Sequence, residues 1–351
     1  MDTLIVTADD VQRAVRHIGL DAFMDQLIER LSTAHADYDP ETTEIPIREG
    51  FAYTRPTTGL VEWMPCMERG EAVTLKTVGY HPANGKRHGL PTILSTVSSY
   101  DTDTGHLQCL MDGTLLTALR TGATSALASR MLTPNDPEVI GLIGAGAQAV
   151  TQLHAHTRVF SVQRVVIHDV DPAAEVSFAD RIAPFAPDLP IEPAPPEEVA
   201  EVADILCTAT SVDQGAGPVF QDVPLKPHLH INAVGSDFPG KTEVPLSVLR
   251  RSFVCPDSRV QALREGESQQ LDEDVVGPEL YRLTQEPALK KQDRVTVFDS
   301  TGWALEDHVA MELIAGHAEA LGLGTRMPIE MVPEDARSPY QFASQSAAVA
   351  S

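Results

Sequence analysis

The segment Val139-Ile-Gly-Leu-Ile-Gly144-Ala-Gly146-Ala-Gln-Ala149 constrains this chain more than any other. It reads as an apolar strand, a tight glycine turn and the opening of a helix. A second apolar run, Arg164-Val-Val-Ile-His168, then ends on Asp169. That order builds a pocket for a dinucleotide. Gly144 permits the sharp turn, and Gly146 lets the main chain approach a pyrophosphate. Ala149 stands where a third glycine is common and still allows close helix–strand packing. The helix opening near Ala147 offers free N–H groups and the positive end of its dipole to phosphate. Asp169, about 20–25 residues downstream, is placed to accept from adenosine ribose hydroxyls. Its charge repels a 2′-phosphate, so NAD is favoured over NADP.

Strand–helix alternation continues after this motif, through Ile205–Ala209, His230–Val234, Phe253–Cys255 and Val295–Phe298. The alternation predicts an α/β, doubly wound Rossmann-type NAD domain over 133–304. The preceding part reads differently. Helical spacing runs through 8–33, with Asp9, Asp10 and Asp21 as cap-like residues. Four β-branched or alternating runs follow, at 60–64, 72–78, 92–97 and 106–111, and then an apolar helix at 115–132. This predicts an α+β substrate-binding and dimerisation domain over 1–132, completed by a C-terminal helix over 305–340. Residues 341–351 read as a disordered tail.

Of the 351 residues, 42% are hydrophobic, enough for packed cores, and the net charge is −24. A surface this acidic argues against nucleic-acid or anionic-membrane partners. Cys66, Cys109, Cys207 and Cys255 are far apart, without a paired-cysteine motif. Neither a metal centre nor a disulfide framework is expected. No secretion signal and no bilayer-length apolar run is visible, so the expected location is the cytoplasm.

Several charges interrupt apolar stretches, where an unpartnered charge is costly. Glu62 lies between Val61 and Trp63, and Lys76 lies inside Val73–Val78. Arg120 shares a helical stripe with Thr117, Thr121 and Thr124, and Arg48 lies in the preceding loop. Two readings stand. Arg48, Lys76 and Arg120 hold a substrate carboxylate and Glu62 an ammonium, or the four form an internal salt-bridge network. In the loop after His230–Val234, Asp237 is either a proton shuttle or a turn acid beside glycine and proline. Ser300 either touches the nicotinamide or substrate, or caps the next helix. The segment Arg264–Leu271 carries unusual charge without an assignable role.

These stretches together resemble the ornithine cyclodeaminase/μ-crystallin family. The matching runs are Glu62-Trp-Met-Pro65, Leu75–Tyr80, Leu115–Thr121, Gly144–Gln148, Ile231–Gly235 with Asp237 and Pro239–Glu243, Glu265-Gly-Glu267, and Phe298–Ser300 with Glu306-Asp307. They occur in the family's order over nearly the whole chain. The resemblance implies a homodimer, a tightly held NAD and a diamino acid substrate. It implies that Arg48, Lys76 and Arg120 hold the α-carboxylate, Glu62 the distal amine, and Asp237 the acid/base role. Thr92, Arg120, Thr121, Gly144, Gly146, Ala147, Gln148, Asp169, Thr210, Val234, Gly235, Lys241 and Ser300 fall on the cofactor side. Trp63-Met-Pro65, Thr92-Ile-Leu94 and Ser300-Thr301-Gly302 resemble the lysine-cyclising branch of bacterial secondary metabolism. Thr301 is included as a substrate-side residue, because ornithine-specific members tend to be apolar there. The implied reaction takes L-lysine to L-pipecolate and ammonia through an imine and a cyclic aminal, with no net redox change. Alternatives are ornithine conversion to L-proline, a one-way ketimine reductase or amino-acid dehydrogenase, and a nucleotide-dependent ligand carrier without turnover.

Overall fold

A computed structural model describes residues 1–133, 136–291 and 293–345. Two sheets organise the described residues. The first contains β1 (Thr3–Val6), β2 (Thr43–Glu44), β3 (Glu49–Tyr53), β4 (Gly59–Glu68), β5 (Ala72–Tyr80), β6 (Ile93–Asp101) and β7 (Leu107–Asp112). The second contains β8 (Val139–Ile143), β9 (Arg164–His168), β10 (Ile191–Pro193), β11 (Ile205–Thr208), β12 (His230–Ala233), β13 (Phe253–Pro256) and β14 (Thr296–Asp299). A last strand, β15 (Thr325–Met327), returns to the first sheet and pairs with β1.

The second sheet has the order β10-β9-β8-β11-β12-β14-β13, with every pairing parallel. The strand order reverses between β8 and β11. A crevice opens there, at the carboxyl ends of the strands, where ligands bind such sheets. The first sheet has the order β15-β1-β7-β6-β5-β4-β2, with β3 also on β4, and is mostly antiparallel. Its alternation puts Thr74, Lys76 and Val78 of β5 on one buried face. A lysine carried on an inner face must find a counter-charge there.

The helix Thr114–Leu132 lies between the sheets, and fifteen of its nineteen residues are buried. It has no polar side in the usual sense. Its Thr and Ser hydroxyls satisfy themselves on the preceding turn: Thr121 on Thr117 O, Thr124 on Arg120 O and Ser129 on Ser125 O. Gln152 of the helix Ala147–Val159 donates to Ser125 Oγ at 2.9 Å. Asn232 of β12 donates to Ser129 Oγ at the same distance. One apolar cluster accordingly joins Val11, Leu27, Met64 and Leu127 to Ala155 of the helix Ala147–Val159 and to Cys255 and Phe298 of the second sheet.

Three expectations need correction. The helical run over 8–33 is two helices, Ala8–Ile18 and Leu20–Asp37, broken at Gly19, whose φ of 93° no continuing helix allows. The cap is Thr7, in a reciprocal box with Asp10. The C-terminal segment is helical only over Ala304–Ala320, and β15 follows as an added strand. Within the stretch expected to be disordered, 341–345 form a short helix, and 346–351 lie outside the described residues. All four cysteines are buried free thiols.

Candidate active site

A cavity of about 800 Å³ runs from the crevice of the second sheet to the buried face of β4 and β5. Its nucleotide end is built by the turn after β8. Gly144 has φ 95°, and a Cβ there would stand 2.5 Å from Ala209 O, so only glycine fits. A Cβ at Gly146 would meet nothing within 4 Å. The space above Gly146 is therefore open to a ligand. The helix Ala147–Val159 starts at Gly146 with no side-chain cap, which leaves its first N–H groups free for an anion.

At the end of β9, Asp169 Oδ2 accepts from Ala145 N at 2.6 Å, and Oδ1 accepts from Asp171 N at 2.8 Å. Neither Gly144 nor Asp169 is part of the cavity lining. Thr92, Thr121, Gly146, Ala147, Gln148, Thr210, Val234, Gly235, Lys241 and Ser300 all line it. Ser300 Oγ is buried and has no hydrogen-bond partner among the described residues. A hydroxyl left so is costly unless a ligand satisfies it. Ser300 does not cap the next helix, whose N-cap is Trp303. These features fit a dinucleotide.

The other end is a charged cluster. Lys76 Nζ lies 2.7 Å from Asp307 Oδ2, both side chains about 1% exposed. Arg120 donates from Nε to Asp307 Oδ1 at 3.0 Å and from NH1 to Glu306 Oε2 at 2.8 Å. Arg48 reaches across the seam between the two sheets. It donates to Thr301 O at 3.0 Å and to Asp237 O at 2.6 Å. Its Nε also lies 2.6 Å from Glu265 Oε1, and its NH1 lies 3.3 Å from Glu62 Oε1. The internal salt-bridge network of the second reading is present. The three cations are ion-paired internally, and Arg48, Glu62, Lys76 and Arg120 also line the cavity. Asp237 and Thr301 line it beside them.

Burial tunes these groups. It lowers the Lys76 ammonium to about 8, although Asp307 pulls the other way. It raises Glu306 to about 8 and Glu265 to about 7, with Arg120 and Arg48 respectively opposing. Glu62 is raised by the same cause, with Arg48 again opposing. Asp237 Oδ1 is held by Lys241 Nζ at 2.7 Å. Burial works against the Lys241 charge, but Asp237 and Tyr80 beside it hold its pKa above the ordinary value. The Thr301 hydroxyl is already engaged in the wall. It donates to Asp257 Oδ1 at 2.9 Å and accepts from Gln261 Nε2 at 2.8 Å.

Residue reasoning passed over several parts. Glu243 takes Thr210 N and Oγ1 on one oxygen and Gly235 N on the other, tying two crevice loops together. The unassigned segment 264–271 braces the Asp237 loop. Glu267 accepts from Glu243 N at 2.6 Å, Gln269 Oε1 accepts from Gly240 N, and Gln269 Nε2 donates to Lys241 O. Asp299 in turn accepts from Glu267 N and Ser268 N. The available signal was two glutamates flanking Gly266 in a stretch that the fold buries. His156 and His230 join Ser129, Asn232 and Thr296 in one buried network.

Comparison with known proteins agrees with this geometry. Residues 8–321 match the model of the ornithine cyclodeaminase/mu-crystallin family. The chain is 43% identical over 345 residues to the L-lysine cyclodeaminase of Streptomyces rapamycinicus, covering 97% of this chain and all of that one. A solved lysine cyclodeaminase structure, described for recognition of L-lysine, L-ornithine and L-2,4-diaminobutyric acid, superposes with a TM-score of 0.93. It shares 50% identity and covers 97% of this chain and 99% of its own. An archaeal alanine dehydrogenase dimer with bound NAD superposes at a TM-score of 0.83 with 28% identity, over 94% of this chain and 100% of that one. With the glycine turn, the crevice and the charged cluster in one continuous cavity, the chain belongs to the ornithine cyclodeaminase/mu-crystallin family.

Proposed function

We propose that this chain is an NAD-dependent L-lysine cyclodeaminase, closing L-lysine to L-pipecolate with release of ammonia. One observation carries the reading. A single cavity joins an open phosphate cradle to a cluster of cations and carboxylates, in a chain that aligns end to end with an L-lysine cyclodeaminase. Around Arg48, Lys76 and Arg120 stand four carboxylates, Glu62, Glu265, Glu306 and Asp307. Cations and carboxylates side by side suit a ligand that carries both a carboxylate and amino groups, as a dibasic amino acid does. The solved relative recognises three such amino acids. We assign the same class here, with lysine preferred.

The cofactor residues are those of the crevice. Gly144, Gly146 and the N–H groups at Ala147 and Gln148 cradle the pyrophosphate, and Asp169 takes the adenosine ribose. Thr92, Thr121, Thr210, Val234, Gly235 and Ser300 line the remainder. When bound, NAD supplies an acceptor for the substrate α-hydrogen and returns it at the end of the cycle.

The chain's own groups position and move protons. Arg48, Lys76 and Arg120 orient the α-carboxylate, and Thr301 closes the wall beside it. Glu62 faces the distal amine. A carboxylate partner alone favours the ammonium form, which is not nucleophilic. Asp237 therefore takes that proton, and Lys241 orients its carboxylate. The freed amine bonds to the α-carbon as the bond from that carbon to the α-nitrogen breaks, and Asp237 returns its proton to the departing nitrogen, which leaves as ammonia.

We read the first sheet and its helices as the substrate and dimer module, and the second sheet as the NAD module. The assembly is read as a cytoplasmic homodimer, supported by the dimeric NAD-bound relative and by the four free thiols. None of the described helices is long and apolar enough to cross a membrane. The test is to supply catalytic NAD with lysine or ornithine and identify the ring by mass. Pipecolate from lysine should form faster than proline from ornithine. One methylene is worth only about 1–3 kcal/mol, so the ratio is modest. NADH accumulating in proportion to product would overturn the redox-neutral cycle.

A further inference from the structure

Beside the Lys76–Asp307 pair, the helix Ala304–Ala320 takes part in a second group of ligating side chains, which does not line the cavity. His308 is 2% exposed. Its Nδ1 stands 2.8 Å from Thr74 Oγ1 on β5, which can accept the ring proton. Its Nε2 is buried and makes no hydrogen bond among the described residues. That nitrogen points between two carboxylates, Glu68 Oε2 at 3.5 Å and Glu312 Oε1 at 3.7 Å. One ligating atom from each of the three lies within 4.8 Å of the other two.

We propose that His308, Glu68 and Glu312 bind one divalent transition-metal ion of the zinc class. With the ring proton on Nδ1 and given to Thr74, the Nε2 lone pair faces two carboxylates, which is repulsive unless something positive stands between them. The two separations are too long for direct hydrogen bonds. They are close to the spacing of neighbouring ligands on one tetrahedral ion, about 3.4 Å for metal–ligand bonds of about 2.0–2.1 Å. The second nitrogen of the ring is already held by Thr74, the support that orients a metal-bound histidine. An imidazole among oxygen ligands selects zinc, copper or nickel over magnesium. Three protein ligands leave a position for water.

The three ligands come from two elements. Glu68 ends β4, and His308 and Glu312 are one turn apart on the helix. The ion therefore ties the helix to the sheet one residue from Asp307, the partner of Lys76 and Arg120. It lies outside the cavity and takes no part in the ring closure. Its place is that of a brace, and its loading raises the unfolding temperature by mass action.

The full-length protein is stripped with EDTA, dialysed, and titrated calorimetrically with Zn²⁺ and separately with Mg²⁺. One Zn²⁺ per chain is expected, with much weaker Mg²⁺ uptake. Glu68→Gln and Glu312→Gln should each weaken Zn²⁺ binding at least about 10-fold and abolish the Zn²⁺-induced rise in Tm. NAD binding measured in parallel should remain that of the parent chain, which separates loss of metal from loss of fold. Glu319→Gln on the same helix serves as the control acid and should change neither. Absence of saturable one-to-one uptake, or unchanged affinity in the Glu68→Gln/Glu312→Gln double variant, would overturn the site. Equal affinity for Mg²⁺ would overturn the metal class.

Discussion

Lys76 on β5 and Asp307 on the helix Ala304–Ala320 meet at 2.7 Å in the interior, 231 positions apart in sequence but at about 1% exposure each. Asp307 also accepts from Arg120, so one carboxylate compensates two buried cations. Breaking a buried pair by removing one partner costs about 3–5 kcal/mol, because the other charge is stranded. Asp307→Asn should lower unfolding stability by that amount in a denaturant titration, and turnover should fall with it. A loss under about 1 kcal/mol would mean that the cations find other partners.

Asp237 offers a cleaner separation of roles, since its carboxylate contacts Lys241 and its main-chain carbonyl takes Arg48. Asp237→Asn keeps the carbonyl contact, removes the base, and leaves Lys241 an amide oxygen in place of a carboxylate. Turnover on lysine should fall by about 10²-fold or more, with NAD affinity unchanged in a fluorescence titration. Unchanged turnover would take Asp237 out of the mechanism.

Cofactor choice rests on Asp169. Arg181, whose NH1 donates to Gly146 O at 3.4 Å, stands close enough for the Asp169 charge to act on it. Asp169→Ala removes the repulsion of a 2′-phosphate and leaves that guanidinium nearby. The ratio of NADP to NAD affinity should rise by roughly 10-fold, the scale of one charge contact near a protein surface. A parent enzyme that binds both equally would refute the premise.

Stability should depend on pH in a window set by buried acids. Burial raises Glu265 to about 7, Asp299 to about 7 and Glu306 to about 8. A raised acid binds more protons folded than unfolded, so its contribution is lost as pH rises through the folded value. The buried neutral histidines His35, His156 and His230 act below 6.5, in the opposite sense. Between about pH 6.5 and 8 the acids therefore dominate, and Tm should fall as pH rises. Glu306→Gln should flatten that slope; an unchanged slope would assign it to other groups.

Much of this was legible in the residues. The turn at Gly144 and Gly146 can be read because a dinucleotide pocket needs glycine at fixed spacing, and the second sheet follows from apolar runs broken by helices. The lone charges at Glu62, Lys76 and Arg120 announced a buried cluster because each interrupts an apolar pattern. Their partners were not legible. Glu306 and Asp307 open a helix, where acids are ordinary, and only the fold turns that helix inward. β1 is four residues long, too short for alternation to declare itself, and β15 is specified by the edge of β1 and not by its own sequence. His308 and Glu312 stand four residues apart on one helix, but Glu68 is remote in sequence, since β4 and the last long helix meet only in three dimensions.

The helix Thr114–Leu132 touches both sheets and has Arg130 as its one exposed residue. Its side chains answer to two neighbourhoods at once. A change at Gly122 that suits the first sheet would collide with Thr151 O of the second module, 2.4 Å from the added carbon. Such an element is a poor place for variation to accumulate. New substrate preferences in descendants of this chain should arise on the cavity's exposed rim, at Leu90–Leu94, while the helix between the sheets stays fixed.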